Sequence, residues 1–402
     1  MRTADGAYIK QLNRSLILQE IIKNGKISRA DLSKRTGLNK ATVSVQVADL
    51  LEEEIIYESR EEHNAIGRRP IMLSIDNTSG YILGIDIDFS EIQFAVADLR
   101  GNIVEEWSTP NDTADYPVII EELIGQIIAC KKRYSECTYG LISVNISVHG
   151  TVNIDETIDF IPKLKWKDKD LKNDLAEQLD IDITIGNNAN LSAFAEYVYN
   201  HQSDNLLNLT LTSGIGIGVI MDGKLHKGYS GHAGEVGHMI LHPEGKQCPC
   251  GNHGCLELYA SEPAFAEELA NRLGKPELSL SEVNDLIVKQ DAVTLELMEK
   301  FLDNIAIGLN NVMHLYNPKT VVINSEILSN YPEAVAKIES RLSSTLIHYR
   351  EIALSSLGKK SAVMGACAIG LQKFFRVSDL SLHPQEKNKV GKRQSLTPFE
   401  RF

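Results

Sequence analysis

The segment "NLTLTSGIGIGVIMDGKL", Asn208 to Leu225, opens a meander of strands, with a hairpin turn at "MDGK" whose central Asp-Gly pair suits a two-residue reversal. An earlier segment, "GYILGIDIDFSEIQFAVADLRGNIVEEW" from Gly80 to Trp107, reads as a three-strand meander. It is followed by a helix in "YPVIIEELIGQIIACKKRY" and a buried strand in "YGLISVNISVHG" that runs into a turn. One strand–strand–strand–helix programme met twice implies two related lobes with a cleft between them. Later, Met298 to Asn324 reads as a long helix leading to a buried strand, and a helix within Ser355–Phe375 is expected to return to the first lobe. The expected boundaries are a first lobe over 76–190, completed by about 355–377, and a second over 191–354.

Composition sets limits. The chain has 402 residues, 43% hydrophobic and 24% charged, enough for two or three domains with full cores. The charged N-terminal stretch lacks the apolar centre of a signal peptide, and no run reaches the roughly 18 apolar residues of a spanning helix. A cytoplasmic protein, with no membrane partner, is expected. In a reducing compartment the cluster "QCPCGNHGCLE", with Cys248, Cys250 and Cys255, reads as a metal site rather than a disulfide pair with one thiol left over. Cys130, Cys137 and Cys367 read as ordinary core residues. A tetrahedral structural Zn²⁺ site needs a fourth ligand. His238 is favoured by its spacing, with His232, His242 and His253 as the other candidates, and Gly251 and Gly254 would supply positive φ around the metal.

Residues 1–75 read as a separate module. "NRSLILQEIIKNG" is a helix with Leu16, Ile17, Ile21 and Ile22 on one face, ended by Gly25. Ser28 caps a short helix that stops at Gly37, and Asn39 caps a longer one with Val43, Val47, Leu50 and Leu51 facing inward. This is a helix-turn-helix, and "IIYESREEHNAIGRRPIMLSID" adds two strands around a polar tip, a wing. The second helix would lie in the major groove of operator DNA, offering Asn39, Lys40, Thr42, Ser44 and Gln46, with Ser28 and Arg29 at the start of the preceding helix. Arg68 and Arg69 at the wing tip suit the minor groove. Residues 1–72 hold 12 Lys/Arg against 10 Asp/Glu, which is +2, so the remainder carries −15 of the net −13. The acidic body would stay off DNA while the head binds it. Residues 378–402 read as a flexible tail; the last twenty are polar, with 5 Lys/Arg and 2 Asp/Glu.

Taken together, "TSGIGIGVIMDGKLHKGYSGHAGEVGHM" and "CPCGNHGCLELYAS" resemble the signature of the ROK family of repressors and sugar kinases. With its winged head, the chain from about Ser15 to Phe375 is similar to the family's xylose-repressor branch. The resemblance implies an α/β protein: a winged helix-turn-helix followed by a two-lobed, actin-like (duplicated ribonuclease H-like) sugar-binding domain, with zinc on His238, Cys248, Cys250 and Cys255. It also implies sugar contacts at Asn187, Asn188, Glu235, His238 and Glu257, the histidine sharing its ring between metal and sugar.

Departures from that pattern are informative. Asn188 stands where family kinases carry the aspartate that deprotonates the attacking hydroxyl, and loss of a general base costs on the order of 100- to 10,000-fold. "DIDFSE" puts Asp88 and Phe89 where a glycine-rich phosphate loop belongs, and "INSE", Ile323 to Glu326, replaces a further glycine cluster. His149 and Lys163 replace residues that are commonly Pro and Asn. The sugar half persists without the nucleotide half. The expected function is therefore non-enzymatic: a repressor, nucleoid-associated, that grips a palindromic operator as a homodimer or dimer of dimers and is released by a monosaccharide, xylose or glucose-like. A kinase with a DNA-binding head, and a redox or zinc sensor built on the three cysteines, are the competing readings.

Overall fold

The computed structural model describes residues 6–60 and 70–382. At the head, α1 (Gly6–Asn24), α2 (Arg29–Thr36) and α3 (Lys40–Glu52) pack on a small sheet of β1 (Ile27–Ser28), β2 (Ile56–Arg60) and β3 (Ile71–Ile75), in the order β1-β3-β2. Local chemistry sets the helix ends as expected. Ser28 Oγ accepts the Asp31 N–H at 3.1 Å, Gly37 ends α2 at φ 72°, and Asn39 Oδ1 accepts the Thr42 N–H at 2.8 Å. Ile17, Leu18 and Ile21 close on Leu32, Val43, Val47 and Leu50. Leu18 takes the core place expected for Leu16, and Leu51 is only half-buried. Gln46, expected to face DNA, is instead buried among these apolar residues. It follows Val43 by three positions and precedes Leu50 by four, so the helical repeat puts it on the core face. Arg68 and Arg69 lie outside the described residues.

Lobe 1 is built on a sheet of order β11-β7-β4-β5-β6, comprising β4 (Gly80–Ile87), β5 (Glu91–Asp98), β6 (Ile103–Pro110), β7 (Gly140–Val148) and β11 (Asp182–Asn187). Helices α4 (Tyr116–Arg133) and α5 (Leu171–Ala176) belong to this half. Between β7 and α5 the chain forms a small antiparallel sheet, β8 (Thr151–Val152), β9 (Ile158–Ile161) and β10 (Trp166–Lys169), that the sequence did not announce. Lobe 2 repeats the plan as β14-β13-β12-β15-β16. Its strands are β12 (Leu206–Thr210), β13 (Gly216–Met221), β14 (Lys224–Leu225), β15 (Thr320–Asn324) and β16 (Glu351–Leu354). The turn between β13 and β14 has Asp222 and Gly223 at φ 50° and 71°, the hairpin expected from "MDGK". Its helices are α7 (Glu257–Ala260), α8 (Glu262–Leu273), α9 (Leu280–Val288), α10 (Ala292–Tyr316), α11 (Glu326–Ser329) and α12 (Ala334–Arg341).

Two helices join the halves. Helix α6 (Asn188–Glu196) is buried from Ala189 to Glu196 and lies between β13 of lobe 2 and α13 (Ser361–Phe375). In turn α13 packs on β4 and β7, returning to lobe 1. Glycines permit these approaches: a Cβ on Gly365 would fall 1.9 Å from Leu191 O, and one on Gly218 2.3 Å from Ala193 Cβ. The start of the expected tail is not free. Leu380 and Leu382 are buried, Asp379 accepts from Tyr197 Oη at 2.7 Å, and Leu382 N donates to Val198 O, so Ser378–Leu382 is part of the fold because two leucines reach its core.

This packing separates two otherwise similar substitutions. Gly365→Ala should lower the thermal midpoint by an amount matching at least about 1–3 kcal/mol, because α13 must move off α6. Gly125→Ala in α4, where no atom lies within 4 Å, should leave stability unchanged or raise it by up to about 1 kcal/mol. Calorimetric scans of both variants check this.

Candidate functional site

The parallel strands β4, β7 and β11 end at the interlobe cleft, and each delivers a polar residue there: Asp88, His149 and Asn187. The cavity measures about 470 Å³, within the range of small-ligand sites. Lobe 2 contributes Ser213, Glu235, His238 and Glu257, and Asn188 lies at the junction. All five residues expected to meet a sugar line this one cavity.

Their side chains are not equally free. Asn187 caps α6, with Oδ1 accepting the Asn190 N–H at 3.0 Å and Nδ2 donating to Gly150 O at 2.9 Å. Asn188 is less committed, its Nδ2 lying 3.4 Å from His149 Nδ1. Glu235 follows Gly234, whose carbonyl accepts the Ile217 N–H at 2.9 Å. A Cβ on Gly234 would lie 2.0 Å from Ile217 O and one on Gly237 2.4 Å from Ile215 O, so the glycines of "GEVGH" let this loop lie flat on β13. Burial pushes the Glu235 carboxyl up from its ordinary range, against the pull of His238 and His232. Glu257 Oε1 stands 3.7 Å from His238 Nδ1.

On the lobe 1 wall, His149 Nε2 lies 3.1 Å from Asp86 Oδ2 and its Nδ1 2.7 Å from Ser213 Oγ, a bond between the lobes at the cleft floor. Burial opposes charge on this ring, but the carboxylates of Asp86 and Asp88 outweigh it and raise its pKa. Lys163 Nζ sits 3.7 Å over the Phe89 ring; burial lowers its pKa, opposed by Asp88 and Glu257. Sequence reading noted His149 and Lys163 as departures but did not join them to Ser213 and Phe89.

The segments that replace the phosphate-side glycines are closed by the chain's own carboxylates. Asp88 Oδ1 accepts the Phe89 N–H at 2.7 Å. Glu262, almost wholly buried, accepts from Ser325 Oγ at 2.7 Å and from the Ile327 N–H at 3.0 Å, at the start of α11. The Phe89 and Ile327 amides are therefore already paired within the chain.

The cysteine loop is a preformed knuckle. Gly251 and Gly254 adopt φ 101° and 74°, and Cys248 N donates to Asn252 O at 2.8 Å while Gly251 N returns to Cys248 O at 3.0 Å. His238, Cys248, Cys250 and Cys255 place one ligand atom each within 4.8 Å of one another. Sγ of Cys250 and Cys255 are 3.7 Å apart and Cys248 Sγ is 3.6 Å from His238 Nδ1. Tetrahedral bonds of about 2.3 Å to sulfur and 2.0–2.1 Å to nitrogen require edges of about 3.8 and 3.5 Å, so the donor set fits one tetrahedral metal ion. Of the other histidines considered, His242 packs against Tyr259 and His232 bonds Asp159.

On the head, Lys40 and Ser44 are exposed on α3, with Thr42 partly so. Asn39 spends its Oδ1 on the cap, and Arg29 pairs with Glu58 at 2.6 Å. Ser28 is buried, its Oγ donating to Asp31 Oδ2 at 2.7 Å, which removes the hydroxyl from a DNA-facing role. Val45, missed in the sequence because apolar residues were assigned inward, is 56% exposed beside Ser44 and offers a methyl surface of the kind that meets thymine.

The profile of the ROK family matches residues 82–373, and that of a winged helix-turn-helix DNA-binding domain matches residues 12–57. The chain belongs to the ROK family. It is 36% identical to the xylose repressor of Bacillus subtilis (strain 168) over 383 residues, 93% of this chain and 99% of that one. A ROK family transcriptional regulator described as a homolog of the E. coli MLC protein shares the fold, with a TM-score of 0.79 and 24% identity over 91% of this chain and 97% of its own. A ROK family glucokinase from Streptomyces griseus, solved with glucose and AMPPNP, matches with a TM-score of 0.63 and 24% identity, covering 72% of this chain and 99% of its own. The repressor-type matches thus include the head, whereas the kinase leaves more than a quarter of this chain unmatched.

Proposed function

We propose that this protein is a sugar-responsive transcriptional repressor of carbohydrate-use genes, released from its operator by a xylose- or glucose-like monosaccharide in the interlobe cleft. The observation that carries this reading is the asymmetry of the cleft. Glu235, Glu257 and Asn188 line an open cavity, while Asp88 and Glu262 occupy the Phe89 and Ile327 amides in the segments that stand where phosphate loops belong. Such a site retains carboxylates for hydroxyl groups, while Asn188 stands where family kinases carry their base and Asp88 and Phe89 where they carry a phosphate loop. Zinc suits the Cys3His donor set; when bound it supplies a crosslink. His238 and its neighbour Glu235 would be held in place by it. The protein would act in the cytoplasm, on a palindromic operator, as a homodimer or a pair of dimers. Thr42, Ser44, Val45 and Lys40 would face the major groove, with Arg68 and Arg69 on the wing.

The head is held to lobe 1 by specific bonds. Tyr139 Oη donates to Glu53 O at 2.6 Å and Thr138 Oγ1 to Glu54 Oε2 at 2.6 Å, both just past the end of α3. Arg100 Nε donates to Ile75 O at 3.2 Å. From Tyr139, β7 runs directly to His149 in the cleft, and from the head linker β4 runs to Asp88. Lobe 1 and head therefore form one body, and a sugar that changes the angle between the lobes also changes where the head points.

Four outcomes are expected. Glu235→Ala or Glu257→Ala should remove charge-assisted bonds worth about 1.5–3 kcal/mol and stay on operator DNA at sugar concentrations that release the wild type. Asn188→Asp should bind sugar yet form no ADP from Mg-ATP, because the phosphate side stays closed; operator-binding titrations and an ADP assay check these variants. The purified wild type should carry about one zinc ion per chain, and Cys250→Ser should lose zinc, thermal stability and sugar response together, as read by metal analysis and melting curves. Tyr139→Phe combined with Thr138→Ala should bind sugar with unchanged affinity but release operator about five-fold or more less readily, at about 1 kcal/mol per lost bond. Parallel calorimetry and operator titrations would expose equal losses in both, which would show Tyr139 to be merely structural.

A further inference from the structure

His232 sits three residues before Glu235 and belongs neither to the cavity lining nor to the metal cluster. It crosses to lobe 1, where its Nε2 lies 2.6 Å from Oδ2 of Asp159 on β9. Asp159 is held for that contact by Asn153, whose Nδ2 donates to Oδ1 at 2.9 Å. Two further contacts flank the pair. Ile154 N donates to Ser230 O at 3.0 Å, and Gly231, at φ 103°, lies so close to the β8–β9 hairpin that a Cβ there would stand 2.6 Å from Val152 O. Three successive residues of the loop, Ser230 to His232, are thus fastened to lobe 1. Two residues later Gly234 rests on β13 of lobe 2, and Glu235 follows it directly. The loop is a strap with one end on each lobe and the ligand-side carboxylate just past its second anchor.

We propose that the His232–Asp159 bond is an interlobe latch that positions Glu235 for the ligand without touching it. The proposal rests on the reading of the cleft as a sugar site. A neutral imidazole protonated on Nε2 suffices to donate, so the latch does not require a charged ring. Both partners are about one-third exposed, at 38% and 32%, which limits the bond to the strength of a partly solvated pair. Its loss should therefore weaken ligand binding about two- to tenfold rather than abolish it. Because the strap spans both lobes, that loss would appear as a need for more sugar, while the body of each lobe stays intact.

The test is a calorimetric double-mutant cycle on the full chain, titrated with d-xylose and d-glucose as probes. His232→Ala and Asp159→Ala should each raise Kd about two- to tenfold, and the double variant no further than the weaker-binding single, since all three remove the same bond. His232→Gln, whose amide can donate to Asp159, should recover part of the loss. Metal content and melting temperature should match wild type in every variant, which separates positioning from unfolding. Unchanged Kd in the singles, or effects that multiply in the double, overturns the latch while leaving the sugar reading in place. Absence of binding by either probe to the wild type overturns the sugar reading and the latch with it.

Discussion

The burial of α6 on every side is the constraint from which the rest of the architecture follows. A helix with Ala189 to Glu196 all buried can exist only if its neighbours yield space. Gly216 and Gly218 do so on β13, beside Ala189 and Ala193, and Gly365 does so on α13, beside Leu191. Gly216 and Gly218 of "TSGIGIG" therefore serve close helix–sheet packing, while Gly214 faces Glu257 in the cleft. The helix even buries Glu196, which accepts from Ser355 Oγ and Asn200 Nδ2. Since α6 begins at Asn187 and Asn188, the same packing that joins the lobes also sets the asparagines at the cleft.

From that junction, two requirements meet in the cleft. For the proposed function, lobe 1 must be stiff enough to carry the head, and lobe 2 must present a ligand-gripping loop that moves relative to it. The first is met by β4 and β7, paired from Gly80 to Ile87 with one irregularity at Ile142, which connect the head-docking end of the sheet to Asp88 and His149. The second is met by a loop that closes the metal knuckle through His238 and reaches lobe 1 through His232. His149 to Ser213 and His232 to Asp159 are polar bonds across the lobes rather than apolar contacts. Such bonds can exchange for water at modest cost, which suits a hinge more than a wall of buried leucines would.

Sequence reading succeeded where local chemistry decides structure. The Ser28, Gly37 and Asn39 caps, the Asp222-Gly223 hairpin and the cysteine knuckle follow from side chains acting on backbone a few residues away. It failed where a residue's neighbours come from distant segments. Gln46 was placed on DNA because its side chain is polar, although its helical phase is that of Val43 and Leu50. Asn187 lines the cavity as expected, but nothing in the sequence announced that Gly150 and the start of α6 would share its amide. Ser378–Leu382 was assigned to the tail because no local pattern shows that Leu380 and Leu382 reach the core near Tyr199. The β8–β10 sheet, and with it the Asp159 contact, has strands of two to four residues, too short to show a periodic signal.

For the proposed release from DNA, lobe 1 and the head must move together when sugar enters. The most direct measurement is a set of dipolar distances between labels placed through encoded side-chain handles at Lys23 on the head, Glu121 on lobe 1 and Glu296 on lobe 2, leaving the cysteines untouched. With saturating xylose, the Lys23–Glu121 distance should stay fixed while the distances from both to Glu296 shift together. A head that moves relative to Glu121, with the Glu121–Glu296 distance unchanged, would contradict the account.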